Sequence, residues 1–268
     1  MLFSTSVLFS MGTPLLAVVL ALLVGGAATL GASVGRRGRA RFDAHREPVG
    51  VVQGTLLGLV GLLLAFGLTM AVGRYDTRRA LVVQEANDIG TTYLRAQLLA
   101  EPVRSRSLEL LREYADEAVA LADSVPDTAR FEAAAARLEE LQDDLWAAAG
   151  EAVALAPTES APRLYVESLN PMIDSHTDRV ASLRNRVPST VVLLQVFGSA
   201  IAIGVLALYL ALLGRGFVTP LVAAAVVALI LFISLDLDRP HRGLITVPDR
   251  ALVAARASME GPPAFGGP

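Results

Sequence analysis

Residues 50–72 read GVVQGTLLGLVGLLLAFGLTMAV, an apolar stretch without a single charged side chain. Three similar stretches lie at Pro14–Val34, Ser189–Leu213 and Phe217–Leu235. Each has about 20 mostly apolar residues, the length that a helix needs to cross a hydrocarbon core of about 30 Å. A segment in lipid must satisfy its own backbone hydrogen bonds, so each stretch is predicted to be a transmembrane helix.

The composition agrees with a membrane protein, because 53% of the 268 residues are hydrophobic. The first apolar stretch follows no Lys or Arg and is too long for a signal-peptide core, so we expect it to be retained. The chain has no cysteine, and all 23 basic residues are arginine. This excludes thiolate catalysis, sulfur-based zinc sites, a P-loop lysine and Schiff-base chemistry. The net charge of −3 argues against a nucleic-acid partner.

The order of these stretches predicts an all-α protein, with a helical soluble domain inserted between the second and third of four transmembrane helices. The predicted domains are residues 1–73 for the first helix pair, 74–187 for the soluble domain, 188–238 for the second pair and 239–268 for a partly disordered tail. One helix should continue from the second stretch to about Ala100. Further helices are expected at Val103–Ser124, from an N-cap at Asp127 to Ala156, and from Ser160, with Pro171 kinking or breaking the last.

Two patterns resemble catalytic motifs without their context. Gly31-Ala32-Ser33-Val34-Gly35 matches the nucleophile elbow but lies in a predicted membrane helix rather than after a strand. Asp174-Ser175-His176 has hydrolase residue types, but adjacent helical side chains point apart, and His176 on an apolar stripe is interpreted as a core histidine. Neither predicts an enzyme, and no metal or cofactor is expected. The acidic run Glu139, Glu140, Asp143 and Asp144 is interpreted as a solvated helix face, with a cation site as the minor alternative.

The second membrane helix carries two side-chain stripes. Gly54, Gly58, Gly61 and Ala65 follow an i, i+4, i+7, i+11 spacing and predict a helix-packing surface, because small residues let backbones approach closely. Beside them, a ridge of bulky side chains repeats every four residues: Leu62, Phe66 and Met70.

Two polar groups have open interpretations. Glu85, Asn87, Asp88 and Arg95, on the extension of the second helix, form either a salt-bridged solvated face or the lining of a vestibule. Asp236, Asp238, Arg239 and Arg242 lie at the end of the fourth membrane helix. Carboxylates there oppose the helix dipole, so a partner is expected, either the neighbouring arginines or a bound cation.

These features together resemble the bacterial bestrophin-like membrane proteins over about residues 50–250. The stretches that carry the resemblance are Gly54-Thr55-Leu56-Leu57-Gly58-Leu59, Leu63-Leu64-Ala65-Phe66, Arg79 to Arg95 with Glu85-Ala86-Asn87-Asp88-Ile89-Gly90-Thr91, Leu183-Arg184-Asn185-Arg186-Val187-Pro188, and Leu235-Asp236-Leu237-Asp238-Arg239-Pro240 with Gly243-Leu244-Ile245.

Bestrophins are pentameric ion channels whose second membrane helices line a pore with a hydrophobic neck and whose helical domain is cytosolic. The resemblance implies a homo-oligomer, by family a pentamer, in the bacterial plasma membrane, with the lipid bilayer and inorganic ions as partners. It implies Leu62, Phe66 and Met70 as neck residues, although the same ridge fits packing against a neighbouring helix equally well. The chain departs from bestrophins in having one aromatic residue in this ridge and no dense acidic calcium clasp.

Three functions therefore stand at this point: an oligomeric ion channel, a non-conducting signalling or scaffold protein that acts through its acidic helical domain, and a membrane protein whose middle domain is an external sensor. Arginines near the helix ends mildly favour a cytoplasmic middle domain, by about nine against about six.

Overall fold

The computed structural model describes residues 11–39, 46–124, 128–239 and 243–261, and within these ranges it contains helices and no strand. The all-α prediction is confirmed. The helices are α1 Thr13–Arg37, α2 Arg46–Ala96, α3 Val103–Ala122, α4 Ala129–Leu155, α5 Ser160–Arg184, α6 Ser189–Leu212, α7 Val218–Leu237 and α8 Arg250–Ser258. The chain divides into unit 1, Met1–Arg74 with Arg186–Thr246, and unit 2, Tyr75–Asn185 with Val247–Pro268.

Four apolar segments in the described residues are long enough to cross a membrane, and they lie in α1, α2, α6 and α7. These are the four stretches that the sequence predicted. α2 has 51 residues and continues without interruption from its apolar half into unit 2. It ends at Ala96, four residues before the predicted end, because the chain turns there through hydrogen bonds from Leu98 N to Arg95 O and from Leu99 N to Ala96 O.

The closest helix packing in unit 1 joins α1 to α6. A Cβ atom at Gly31 would overlap the backbone carbonyl of Gly204, and one at Gly35 would lie 2.6 Å from the carbonyl oxygen of Leu208. Ser33 donates to the Thr29 carbonyl of its own helix at 2.7 Å. The pattern at residues 31–35 is thus a packing motif of the small-xxx-small kind.

One stripe of α2 is buried within unit 1. It consists of Val60, Leu64, Gly67 and Ala71. Gln195 of α6 lies directly against Gly67, where a Cβ atom would overlap its amide, and it donates to the carbonyl of Leu63 at 3.0 Å. A polar amide between apolar helices is satisfied here by a backbone carbonyl.

The core of unit 2 is formed by α3, α4, α5 and α8 together with residues 75–96 of α2, which we call the outer half of this helix. The sequence analysis did not anticipate α8. Its Leu252 and the following Met259 are buried, and the Tyr93 hydroxyl donates to the Met259 carbonyl at 3.1 Å. The predicted disorder of the last residues, 262–268, lies outside the described residues.

A buried ion pair lies inside this core. Glu85 of α2 is fully buried and pairs with Arg179 of α5, and its Oε1 lies 3.0 Å from His176 Nδ1. Arg179 also donates to the carbonyl of Ala118 on α3, at 3.3 Å. The Tyr114 ring packs edge-on against His176, and burial, with the nearby Glu85 carboxylate, raises the pKa of Tyr114 well above its usual range. His176 is thus a satisfied core histidine, as predicted.

Two expected helix signals differ in the structure. Thr128 caps α4 by accepting from Phe131 N, whereas the predicted cap Asp127 lies outside the described residues. α5 runs unbroken through Pro171, so of the two predicted outcomes the local break is wrong, and the kink stays a prediction. Glu167, whose carbonyl would have bonded the missing N–H, is exposed like Pro171, so water can satisfy that carbonyl.

Gly31→Ala should lower the free energy of unfolding by about 1–3 kcal/mol, because the added methyl meets a backbone carbonyl that cannot move aside. Gly26→Ala on the same helix is the matched control, since nothing lies within 4 Å of a Cβ atom there. Chemical unfolding of the detergent-purified protein measures both. Equal stability of the two variants would contradict the close α1–α6 approach.

Glu85→Gln should lower the free energy of unfolding by about 3–5 kcal/mol, because Arg179 would be left as an uncompensated buried charge. Glu132→Gln is the control, since its pair with Arg184 at 2.9 Å is half exposed and should contribute little. The same unfolding measurement applies. A loss of stability no larger than that of the control would show that Glu85 is hydrated in the folded protein.

Candidate functional site

The apolar half of α2 has a bulky face that unit 1 leaves uncovered. Leu62, Phe66 and Met70 are 53%, 60% and 41% exposed. At about 100° per residue, this ridge lies about a third of a turn from the buried stripe of Val60 and Leu64. The three predicted neck residues therefore share one open face of α2.

The small-residue stripe is a second uncovered face of α2. Apart from the adjoining residues and backbone of α2 itself, no atom of the described chain lies within 4 Å of a Cβ atom placed at Gly54, Gly58 or Gly61, and Ala65 is exposed. The packing surface predicted from this stripe thus has no partner within the described chain. Close packing inside unit 1 uses Gly31, Gly35 and Gly67 instead. The sequence analysis missed this role, although the four-residue spacing of Gly31 and Gly35 is itself typical of packed membrane helices.

The two carboxylates at the end of α7, Asp236 and Asp238, are buried and accept hydrogen bonds from backbone amides. Asp236 accepts from Leu244 N at 2.8 Å and from Ile245 N at 3.0 Å. A Cβ atom at Gly243 would lie 2.7 Å from the Asp236 carbonyl oxygen, so this turn requires glycine.

Asp238 has a different set of partners. It accepts from Val187 N at 2.8 Å and lies 3.5 Å from Arg74 Nη1. Arg239 donates to the carbonyl of Met11, and Arg242 lies outside the described residues. The expected compensation of these acids thus includes backbone amides and Arg74, neither of which the sequence analysis considered.

The outer half of α2 is joined to α5 by a row of polar contacts. Arg78 donates to the carbonyls of Ser182 at 3.2 Å and Asn185 at 2.8 Å, at the end of α5. Thr92 donates to the Ser168 carbonyl at 3.0 Å, and Arg95 donates to the Leu164 carbonyl at 2.8 Å. Arg95 and the buried Glu85 are therefore part of the α2–α5 interface.

The other two vestibule candidates face outward. Asn87 is exposed and Asp88 is half-buried, and both line an open groove of about 520 Å³ on the surface of unit 2. Asp76, Arg79 and Gln84 complete its polar lining. The four residues that the sequence grouped thus separate into a pair at the α2–α5 interface, Glu85 and Arg95, and a groove-lining pair, Asn87 and Asp88.

The remaining polar patterns lie apart from these faces. The acidic residues Glu139, Glu140, Asp143 and Asp144 are exposed on α4, and Glu140 pairs with Arg137 at 2.9 Å. Asp174 is exposed, whereas Ser175 is buried and donates to the Met172 carbonyl at 3.1 Å. Asp174, Ser175 and His176 therefore form no catalytic relay.

Comparison with solved structures supports this architecture. A crystal structure of a bacterial bestrophin homolog from Klebsiella pneumoniae matches with a TM-score of 0.61 and 16% identity over 91% of this chain and 96% of that chain. A point variant of a bacterial bestrophin homolog from the same organism matches with a TM-score of 0.57 and 15% identity, over 91% and 94% of the two chains. At this identity the likeness is one of fold alone.

Comparison by sequence identifies the family. Curated proteins give no significant match. A family model described as the bestrophin-like domain matches residues 17–252, which confirms the resemblance and extends it to include α1. Because that model covers most of the chain, the protein belongs to the bestrophin-like family.

Proposed function

We propose that this protein is an oligomeric ion channel of the bacterial plasma membrane, with α2 lining the pore. The observation that carries the proposal is the apolar half of α2, which buries one stripe in its own chain and leaves two others open. A helix with two uncovered faces suits a ring of copies, in which each α2 contacts a neighbour and also faces the central axis.

The two open faces have different chemistry and suit different roles. The stripe of Gly54, Gly58 and Gly61 favours close packing against another helix, because small residues maximise van der Waals contact in lipid. The ridge of Leu62, Phe66 and Met70 would then form a neck at the axis. A ring of bulky apolar side chains can gate a pore by dewetting, while other groups select the ion. Family resemblance implies five copies.

The proposed topology has α1, α2, α6 and α7 in the membrane and residues 75–185 as an inserted cytoplasmic domain. Apolar side chains support this, since Leu30, Val218 and Leu229 are 68%, 73% and 56% exposed on the membrane helices. Such exposure suits lipid as the solvent. Residues 75–185 instead have charged surfaces and a core of their own.

Ions would pass the outer half of α2 beside its polar groove. Asn87 and Asp88 line this groove together with Asp76 and Arg79. Because α2 is one helix from residue 46 to residue 96, residues on this surface lie on the same element as the proposed neck. We propose this set as the vestibule lining, in which Glu85 and Arg95 hold α2 against α5.

A second candidate function is a non-conducting scaffold that binds another protein through α4. Trp146 is 48% exposed on α4 and lies one turn from the exposed Asp143. An aromatic side chain among charges is typical of protein interfaces. A monomer or dimer by native mass, with a partner recovered through Trp146, would favour this function over the channel.

Reconstituted protein should pass current in planar bilayers, and Phe66→Ala should change the conductance or the leak because it removes the largest side chain of the proposed neck. Phe197→Ala on α6 is the matched control, since Phe197 is 48% exposed but lies on another helix. Native mass must be equal for all three proteins. A silent wild-type protein with verified insertion would contradict the channel.

The cytoplasmic placement of residues 75–185 predicts the outcome of thiol labelling, for which the cysteine-free chain is a clean background. In right-side-out spheroplasts, an impermeant maleimide should label Arg215→Cys and leave Glu139→Cys unlabelled, and both positions are exposed. Inverted vesicles should reverse the result. The opposite labelling pattern would favour an external sensor domain.

A further inference from the structure

One end of unit 1 brings four helix termini together. Gly35, near the end of α1, would place a Cβ atom 2.8 Å from the Ala211 side chain near the end of α6. Gly50, near the start of α2, would place one 3.0 Å from the Tyr209 ring. α7 begins at Val218, a short loop after α6 ends. Side chains on these termini therefore lie at a common end of the helix bundle.

This end is rich in arginine, and we call it the arginine end: Arg36, Arg37, Arg39 and Arg215. All four are exposed. Arg39 donates to the Ala211 carbonyl at 2.6 Å, and so caps the end of α6 next to Gly214, whose φ of 71° favours glycine. The sequence adds Arg41, Asp43 and Arg46, whose side chains lie outside the described residues.

Among the residues that the structure describes, the arginine end has few acids beside it. Among the described residues of unit 1, the acidic side chains are Glu47, Asp236 and Asp238. Asp236 and Asp238 are buried beside the segment after α7, where they bind backbone amides, and only Glu47 lies near the start of α2. The four exposed arginines therefore present a net positive surface.

Apolar side chains adjoin these arginines in the sequence and are also uncovered. Val34 precedes Arg36 on α1 and is 49% exposed, and Leu213 and Val218 flank Arg215 with 42% and 73% exposed. Exposed apolar side chains next to exposed guanidinium groups match the order of acyl chains and headgroups in a bilayer. A soluble anion would use the charges alone.

We propose that the arginine end binds the headgroups of anionic phospholipids. Guanidinium groups form bidentate hydrogen bonds with phosphate and keep their charge in nearly any environment. Arg39, held by the carbonyl of Ala211, positions the chain, and Arg36, Arg37 and Arg215 supply the phosphate contacts. The inference rests on the membrane insertion proposed above and is independent of ion conduction.

Native mass spectrometry of the full-length protein tests the inference, with phosphatidylglycerol and phosphatidylcholine of identical acyl chains as probes. The wild-type protein should bind phosphatidylglycerol more tightly. The triple variant Arg36→Gln, Arg37→Gln, Arg215→Gln should weaken that binding by about a hundredfold and should weaken phosphatidylcholine binding much less, because choline neutralises the phosphate charge of that lipid. The control Arg104→Gln, Arg106→Gln, Arg163→Gln removes the same charge from unit 2 and should keep the wild-type preference.

Two further measurements keep the test decisive if the glutamine variant fails to fold. The matching lysine variant should retain the preference, and raising NaCl from about 0.05 M to about 0.5 M should weaken wild-type binding. Equal binding of both lipids, equal loss in the control, or displacement of the lipid by an equal concentration of inorganic phosphate would overturn the inference. A silent protein that still prefers phosphatidylglycerol would contradict the channel alone.

Discussion

The long helix α2 is the element on which the rest of the structure depends, and its surroundings change along its length. In unit 1 it is held by apolar packing and by one amide, Gln195, whose hydrogen bond to the Leu63 carbonyl requires glycine at residue 67. In unit 2 it contributes to the apolar core and is also held by charges, above all the buried pair of Glu85 and Arg179. This change fits the proposal that the apolar half of α2 lies in lipid and its outer half in a water-exposed domain. A charged side chain is far more costly to place in hydrocarbon than in a domain surrounded by water.

Arginine has a recurrent structural role that the lysine-free composition makes visible. Arg39 donates to a carbonyl at the end of α6, and Arg78 donates to two carbonyls at the end of α5. The last carbonyls of a helix have no intrahelical donor and carry the negative end of its dipole, so a permanent cation stabilises them. Arginine supplies several donors in a fixed fork, which lets one side chain satisfy two carbonyls at once.

Sequence patterns predicted the elements of this fold better than their contacts. The four spans followed from apolar length, and His176 followed from its place on an apolar stripe. Burial of Glu85 did not follow, because its partner Arg179 is distant in sequence and the run around residues 85–95 reads as a polar face. Nor did the role of Gly31, whose spacing to Gly35 also fits a catalytic motif. The nine-residue helix α8 did not follow either, although its Leu252 is buried in the core of unit 2.

The uncovered faces of α2 differ in how well lipid alone could cover them. Thr55 and Thr69 turn their hydroxyls back to the carbonyls of Val51 and Ala65, so these side chains leave no free donor toward the hydrocarbon. The glycine stripe is different, because residues without a Cβ atom leave a groove that flexible acyl chains fill less well than a rigid helix does. A neighbouring copy can bring its own backbone into that groove and gain the dispersion contacts that lipid would lose. The stripe at Gly54, Gly58 and Gly61 therefore supports the proposed assembly of copies.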